Sequence, residues 1–325
     1  MPTSAEGLRG LGLALAFWAM ASCSTLLSLD DYTFDRNAGG CSGSSTTVLV
    51  SVQDSYPAGI AVDATSVYWA SYSFAGSMVF KVDKDGSNLV TLASGLHSPH
   101  SVAVDSVNVY WTDSWGGSVM KVPLGGGDSV TLASGQDDPM GIAVDAMSAY
   151  WTNSSAVMRH PLAGGAPITI ATNQAYPDSV KVDATSVYWT NSGAGMVMKA
   201  LPSASSSPVV LASGLNSPRG IAVDAANVYW ADAGAGVIMK VSLAGGTPVT
   251  LASGQRAPGS VAIDATNLYW TNSSASFGAV MKIPLEGGIP VAIATNQSYP
   301  YYLAVDTTCV YWTNNGDGTV MKAAK

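Results

Sequence analysis

Three observations predict an all-β fold closed into a ring: a seven-bladed β-propeller of four-stranded blades, the last blade closed by the N-terminal strand. The first is a repeat. From Thr46 onward the chain restates P-x-G-I-A-V-D-A-x-x-V-Y-W-T-N…V-M-K-V-P-L-x-G-G-x-P-V-T-L-A-S-G. The aspartates ending its first run (Asp63, Asp105, Asp145, Asp183, Asp224, Asp264 and Asp306) are 42, 40, 38, 41, 40 and 42 residues apart, and seven tryptophans from Trp69 to Trp312 keep step. The second is local pattern. Each period holds four short apolar or alternating runs separated by Gly, Ser, Asn and Pro, with no helical stretch, which is the content of one blade. The third is an offset at the ends. The seventh unit stops at Lys325 after its third strand, while TTVLVSV (residues 46 to 52) is a fourth strand with no first three before it. Pairing the two completes the last blade and removes a free sheet edge.

In chain order, Arg9 precedes the apolar run LGLALAFWAMA (residues 11 to 21), too short to span a bilayer and suited to the core of a signal peptide. Residues 1–22 are therefore expected to be cleaved. Met20-Ala21-Ser22-Cys23 resembles a bacterial lipobox, whose cysteine is acylated and becomes the mature N-terminus; a plain cleaved signal is the alternative. Ser24 after the cysteine resembles lipoproteins sent on to the outer membrane. Residues 23–45 carry no period and read as a flexible tether, leaving residues 46–325 as the propeller.

Within a unit, strand A is the I-A-V-D run, apolar on both faces because blades pack on each other. Its terminal Asp is read as the cap of the A–B turn, since one copy per blade argues for framework and not for a metal ring. Strand B is V-Y-W-T. Strand C is V-M-K-V, with one basic residue per blade (Lys81, Lys121, Arg159, Lys199, Lys240, Lys282, Lys322) expected over apolar stems or paired with those aspartates. A Gly-Gly hairpin leads to strand D. Cys309 opens strand B of blade 7, and Cys41 lies just before the N-terminal strand, about 10 Å away by strand spacing. A disulfide suits an exported chain; two free thiols are the alternative.

These VAVD…VYWTN units resemble propeller repeats of the YWTD and NHL type, within the wider group related to the TolB propeller. The resemblance covers residues 46–325 and implies the fold. It implies little about activity, because such repeats serve receptors, scaffolds and a few enzymes. The YWTD group usually has six blades, whereas seven units are counted here.

Composition narrows the function. The chain is 47% hydrophobic and 11% charged, with net charge −8, pI near 4.6 and no Lys/Arg cluster, so a nucleic-acid partner is excluded. No G-x-S-x-G, H-E-x-x-H, CxxC or Walker loop occurs. DKDGSN (83 to 88) and NNGDGT (314 to 319) lack a calcium loop's ligand run. No metal, no cofactor and no catalytic residue are assigned. Lactonase-type propellers hold a metal with Glu, Asn and Asp, but the mature chain has one glutamate, Glu286, in a C–D hairpin. Streptogramin-lyase-type propellers use His and Glu near the axis; here only His97 and His100 could approach it.

Binding is the expected role. The D–A and B–C loops share one face, and most departures from the repeat fall there. The candidate ligand-binding residues are His100, Trp115, Asp178, Lys181, Arg219, Tyr299, Tyr301 and Tyr302. Aromatic departures gather in blades 6, 7, 1 and 2, with Phe277, Tyr56, Tyr72 and Phe74 among them, and charged ones in blades 3 to 5. Lys181 replaces the alanine of the other six units (Ala61, Ala103, Ala143, Ala222, Ala262, Ala304). Its ammonium is expected in the axial channel, near Asp178 or water. The chain is thus read as an exported, non-enzymatic binding or scaffolding propeller of the bacterial cell envelope, either anchored in the outer membrane or free in the periplasm or outside. Its expected partners are an envelope protein, a peptide or a glycan, with membrane contact through the N-terminal lipid only and a monomeric state. A lyase or hydrolase acting on a small molecule at the axis is one alternative. A structural surface protein whose loops have drifted is another.

Overall fold

The computed structural model describes residues 32–33, 41, 46–74, 76–203 and 207–325. The expected signal peptide and the expected acylation at Cys23 fall outside the described residues. Seven antiparallel sheets form the ring, one for each repeat. Six have four strands, for example Pro177–Val182, Val187–Asn191, Met196–Ala200 and Val209–Ser213 in blade 4. In blade 7, Thr47–Val52 pairs with Thr319–Ala324 as the fourth strand, so the N-terminal strand closes the last blade.

Part of the segment expected as a tether is tied to this junction. Tyr32–Thr33 pairs outside Thr47–Val52 as a fifth strand. Cys41 and Cys309 form a disulfide with a Cα–Cα distance of 5.7 Å, closer than the strand count suggested. Lys84 of blade 1 also crosses the junction, with an ion pair to Asp306 of blade 7 at 2.7 Å.

Why the blades form a ring follows from the Tyr-Trp dipeptide. Successive residues of a strand point to opposite faces, so each strand B offers Tyr to one neighbouring blade and Trp to the other. The core accordingly divides into seven clusters, each spanning one blade interface: Tyr68 with Trp111, Tyr110 with Trp151, and so on round to Tyr311 with Trp69. The seven strand B tryptophans are all fully buried. At 150–250 Å² per ring, each contributes about 4–6 kcal/mol of gross transfer energy.

Hydroxyl groups set the spacing. In every blade the Tyr hydroxyl donates to the Asp that ends strand A, as Tyr188 does to Asp183 at 2.8 Å. The other oxygen of that carboxylate accepts two turn amides, in blade 4 those of Thr185 and Ser186. The Asp is therefore both turn cap and tyrosine anchor. The strand C lysines do not pair with these aspartates. Lys81, Lys199, Lys240 and Lys322 donate to a C–D hairpin carbonyl of the next blade (Leu124, Leu243, Leu285 and Lys84), and the first three lie over their own tyrosine.

Strand A slips register between its Pro and the second apolar residue, in blade 4 between Pro177 and Val180. The slip leaves an amide without a ladder partner, and the strand B threonine takes it. Thr190 Oγ1 accepts from Ser179 N–H at 3.2 Å and donates to the Arg219 carbonyl of the next blade at 2.6 Å. Thr112, Thr152, Thr271 and Thr313 make the same link to the following blade. Blades meet so closely here that a Cβ on Gly141 would lie 2.6 Å from the Asp178 carbonyl.

Thr190→Val keeps the shape but leaves that amide and carbonyl unpaired, and should cost about 1–3 kcal/mol in urea unfolding; an unchanged midpoint would contradict the linking role. Acid should unfold the ring through its turn caps. Burial alone would raise the Asp264 and Asp306 pKa values, but hydrogen bonds from Lys325, Lys84, the turn amides and Tyr269 or Tyr311 outweigh it and hold both carboxyls far below the ordinary 3.8. A carboxyl depressed in the folded state adds stability that is complete above its unfolded value and is lost as pH falls through its folded one. Urea midpoints should therefore hold down to about pH 4 and fall steadily below it. A midpoint as high at about pH 2.5 as at neutrality would refute this.

Candidate ligand-binding site

The innermost strands enclose an axial channel of about 430 Å³. Its wall is mostly Ile, Val and Ala backbone and side chain, as the repeat requires, and its charged members are Asp178, Lys181 and Arg219. Asp178 and Arg219 occupy equivalent positions on blades 4 and 5, at the mouth formed by the D–A loops. Lys181 lies deeper, in the layer that is alanine on every other blade. Lys181 was expected in the channel near Asp178 or water; it lines the channel, and among the described residues it has neither a hydrogen-bond nor an ion-pair partner.

Opposite them, on blades 7 and 2, three aromatic rings meet edge to face. His100, Tyr301 and Tyr302 have centroid separations of 6.1, 5.6 and 4.9 Å. The two ring nitrogens of His100 each face a tyrosine hydroxyl at 3.4 Å, Nε2 that of Tyr301 and Nδ1 that of Tyr302. Tyr302, one of the residues expected from the sequence to bind a ligand, is a second departure from the scaffold. Its position is Gly59, Ser101, Gly141, Ser179, Gly220 or Ser260 elsewhere.

A second pocket of about 360 Å³ opens beside this group, lined by Tyr56, Tyr72, Phe74, His100, Tyr301 and neighbours. Tyr72 packs on Tyr56, Phe74 and Trp115 at 6.0, 5.5 and 5.9 Å. Phe74 and Trp115 are 84% and 75% exposed, so their faces are free to meet a ligand. Two of the anticipated aromatic members lie elsewhere. Phe277 stacks under Arg256 at 4.8 Å, and Tyr299, at φ 50°, lines neither cavity while its carbonyl accepts from Asn315 N–H.

Enclosure controls the protonation states. These groups are surrounded by protein, which weakens hydration of a charge, although each keeps some surface open to the lumen. Burial lowers the His100 pKa to about 4 against a hydrogen bond with the Met140 carbonyl, so the ring is neutral at pH 7. Burial and then the nearby phenol and Asp178 carboxylate push Tyr302 well above 10, with Arg219 opposing. Burial raises Asp178, again against Arg219, and lowers Lys181. Because more than a third of the lysine surface reaches the lumen, its depression is moderated by water. Among the described residues no group of three or more His, Cys, Asp or Glu is placed to hold a metal.

No protein-family model matches the chain, and no curated protein matches it. Solved structures do. Virginiamycin B lyase from Staphylococcus aureus, as a catalytically inactive variant with quinupristin, superposes with a TM-score of 0.74 over 86% of this chain and 99% of that one, at 15% identity. A streptogramin B lyase gives 0.71 over 86% and 96%, at 12% identity. A nidogen/laminin complex gives 0.52 over 61% and 82%, at 23% identity. At these identities the likeness is one of fold, a β-propeller, here with seven blades.

A pH titration followed by NMR should place the His100 midpoint near 4; a midpoint at the ordinary 6.5 would show that the ring is not enclosed as described.

Proposed function

We propose that this chain is an exported binding propeller of the cell envelope, holding a peptide, polypeptide or glycan at the axial mouth. One observation carries the reading. The departures from a nearly uniform repeat converge on one mouth, where Tyr56, Tyr72, Phe74 and Trp115 form a contiguous, largely exposed aromatic face beside His100 and Tyr301. Such rings offer large contact area at little conformational cost and suit sugar faces and side chains alike. A disulfide between Cys41 and Cys309 favours an oxidising compartment, in keeping with export and with an anchor at Cys23.

The second reading, a lyase or hydrolase at the axis, draws on the fold shared with two streptogramin-type lyases. It has to find its acid or base among His100, Tyr301, Tyr302, Asp178 and Lys181. Turnover of quinupristin by the purified chain, lost in His100→Ala, would favour it.

Glycan and peptide arrays probed with the intact chain and with Tyr72→Ala/Trp115→Ala test the first reading. Selective binding should drop roughly tenfold or more in the double variant, as hot-spot aromatics do. Equal binding by both proteins would remove the aromatic face from the site.

A further inference from the structure

Lys181 and Arg219 are cations facing one channel, and neither has a hydrogen-bonded or ion-paired partner among the described residues. Nothing in the scaffold asks for the lysine, because six blades close the same layer with alanine. The lysine is over a third exposed to the lumen, and no carboxylate of the described residues lies within ion-pair distance of it. The one carboxylate in the channel, Asp178, sits at the rim and does not engage it.

The surrounding charges sharpen the contrast. The chain carries net −8, yet its channel lining holds two cations against one carboxylate. Burial also disfavours the charged form of that carboxylate. The charged lining is thus net positive in an acidic protein, and low-dielectric walls strengthen the pull of such charges on an anion. Its remaining polar lining includes Ser101, Ser179 and Ser260, small donors able to complete the shell of an anion.

We propose that the axial channel binds an anionic group, a carboxylate or phosphate, held between the Lys181 ammonium and the Arg219 guanidinium. The rest of such a ligand lies toward the mouth, against Tyr301 and Tyr302. Arg supplies a planar fork and Lys a point charge, and both would gain the partner that the fold withholds. A channel of about 430 Å³ admits a small molecule or the end of a chain, not a folded domain. This assignment rests on the mouth being the ligand site and adds the chemistry of what enters it.

Calorimetric titration of the intact chain with phenyl phosphate, phenylacetate and benzyl alcohol tests it. One or both anions should bind while the neutral alcohol does not, and the stronger anion tells phosphate from carboxylate. Lys181→Ala, which restores the residue of the other blades, and Arg219→Gln should each weaken the anion roughly tenfold or more, as loss of a charge-assisted bond does. Failure of both anions to bind, equal binding of the alcohol, or anion affinity unchanged in both variants would overturn the proposal. Array ligands that need Tyr72 and Trp115 but ignore Lys181→Ala would also overturn it, while leaving the aromatic mouth in place.

Discussion

The fold depends on a single alternation: tyrosine and tryptophan, adjacent in strand B, must face opposite sides of every blade. A sheet with one large ring on each face cannot be satisfied alone, and it cannot stop at two layers. Each interface sets the Tyr of one blade against the Trp of the next, so a partner is always owed on the far side until the ring closes. The same requirement explains why the chain ends meet within blade 7. An open seventh sheet would expose Trp69 and Tyr311 together, and the pairing of Thr47–Val52, the Lys84–Asp306 ion pair and the Cys41–Cys309 disulfide all act at that seam.

Hydrogen bonds then convert an oily contact into a defined distance. The Tyr hydroxyl is fixed by the aspartate of its own turn, and the strand B threonine ties the slipped strand A to the neighbouring blade. Both links use backbone or framework groups. Side chains at the mouth are therefore released from structural duty, and the loops can vary without loosening the ring. The site is where the repeat is free, which is why its residues look irregular.

The architecture was legible because its cause is periodic. Spacing of Asp and Trp, the four-run unit and the offset ends each encode a contact made seven times. The Tyr–Asp bond was less legible, since a capping role already accounted for the aspartate. The threonine link needs two adjacent blades and a register slip, neither visible in a linear pattern. One coupling is visible in the sequence itself. Where a Gln stands fifteen residues before the Trp, strand B ends in Asn or is followed by it, as with Gln174 and Asn191; where Leu stands there, an Asp follows, as with Leu215 and Asp232. In the first kind the Gln carbonyl receives the Trp indole and the Asn amide, and in the second the Asp receives loop amides instead. Lys181 and Asp178 are both departures from the repeat, and the lysine was expected near Asp178 or water because the two share a blade. Three residues along an extended strand with a slip do not bring two side chains together.

The two departures inside the scaffold itself, Lys181 and Tyr302, lie on opposing arcs of the ring, and their costs are of different kinds. Tyr302 occupies a position kept small elsewhere, and its ring is accommodated by packing on His100 and Tyr301. That cost is steric and is met inside the protein. Lys181 has no comparable settlement, because no described side chain or carbonyl accepts from it. Shape can be repaired by neighbours that repack, but a charge in a confined lumen needs a charge or a dipole brought to it. Of the two irregularities, Tyr302 is thus explained by what the ring contains, while Lys181 points to what it takes in.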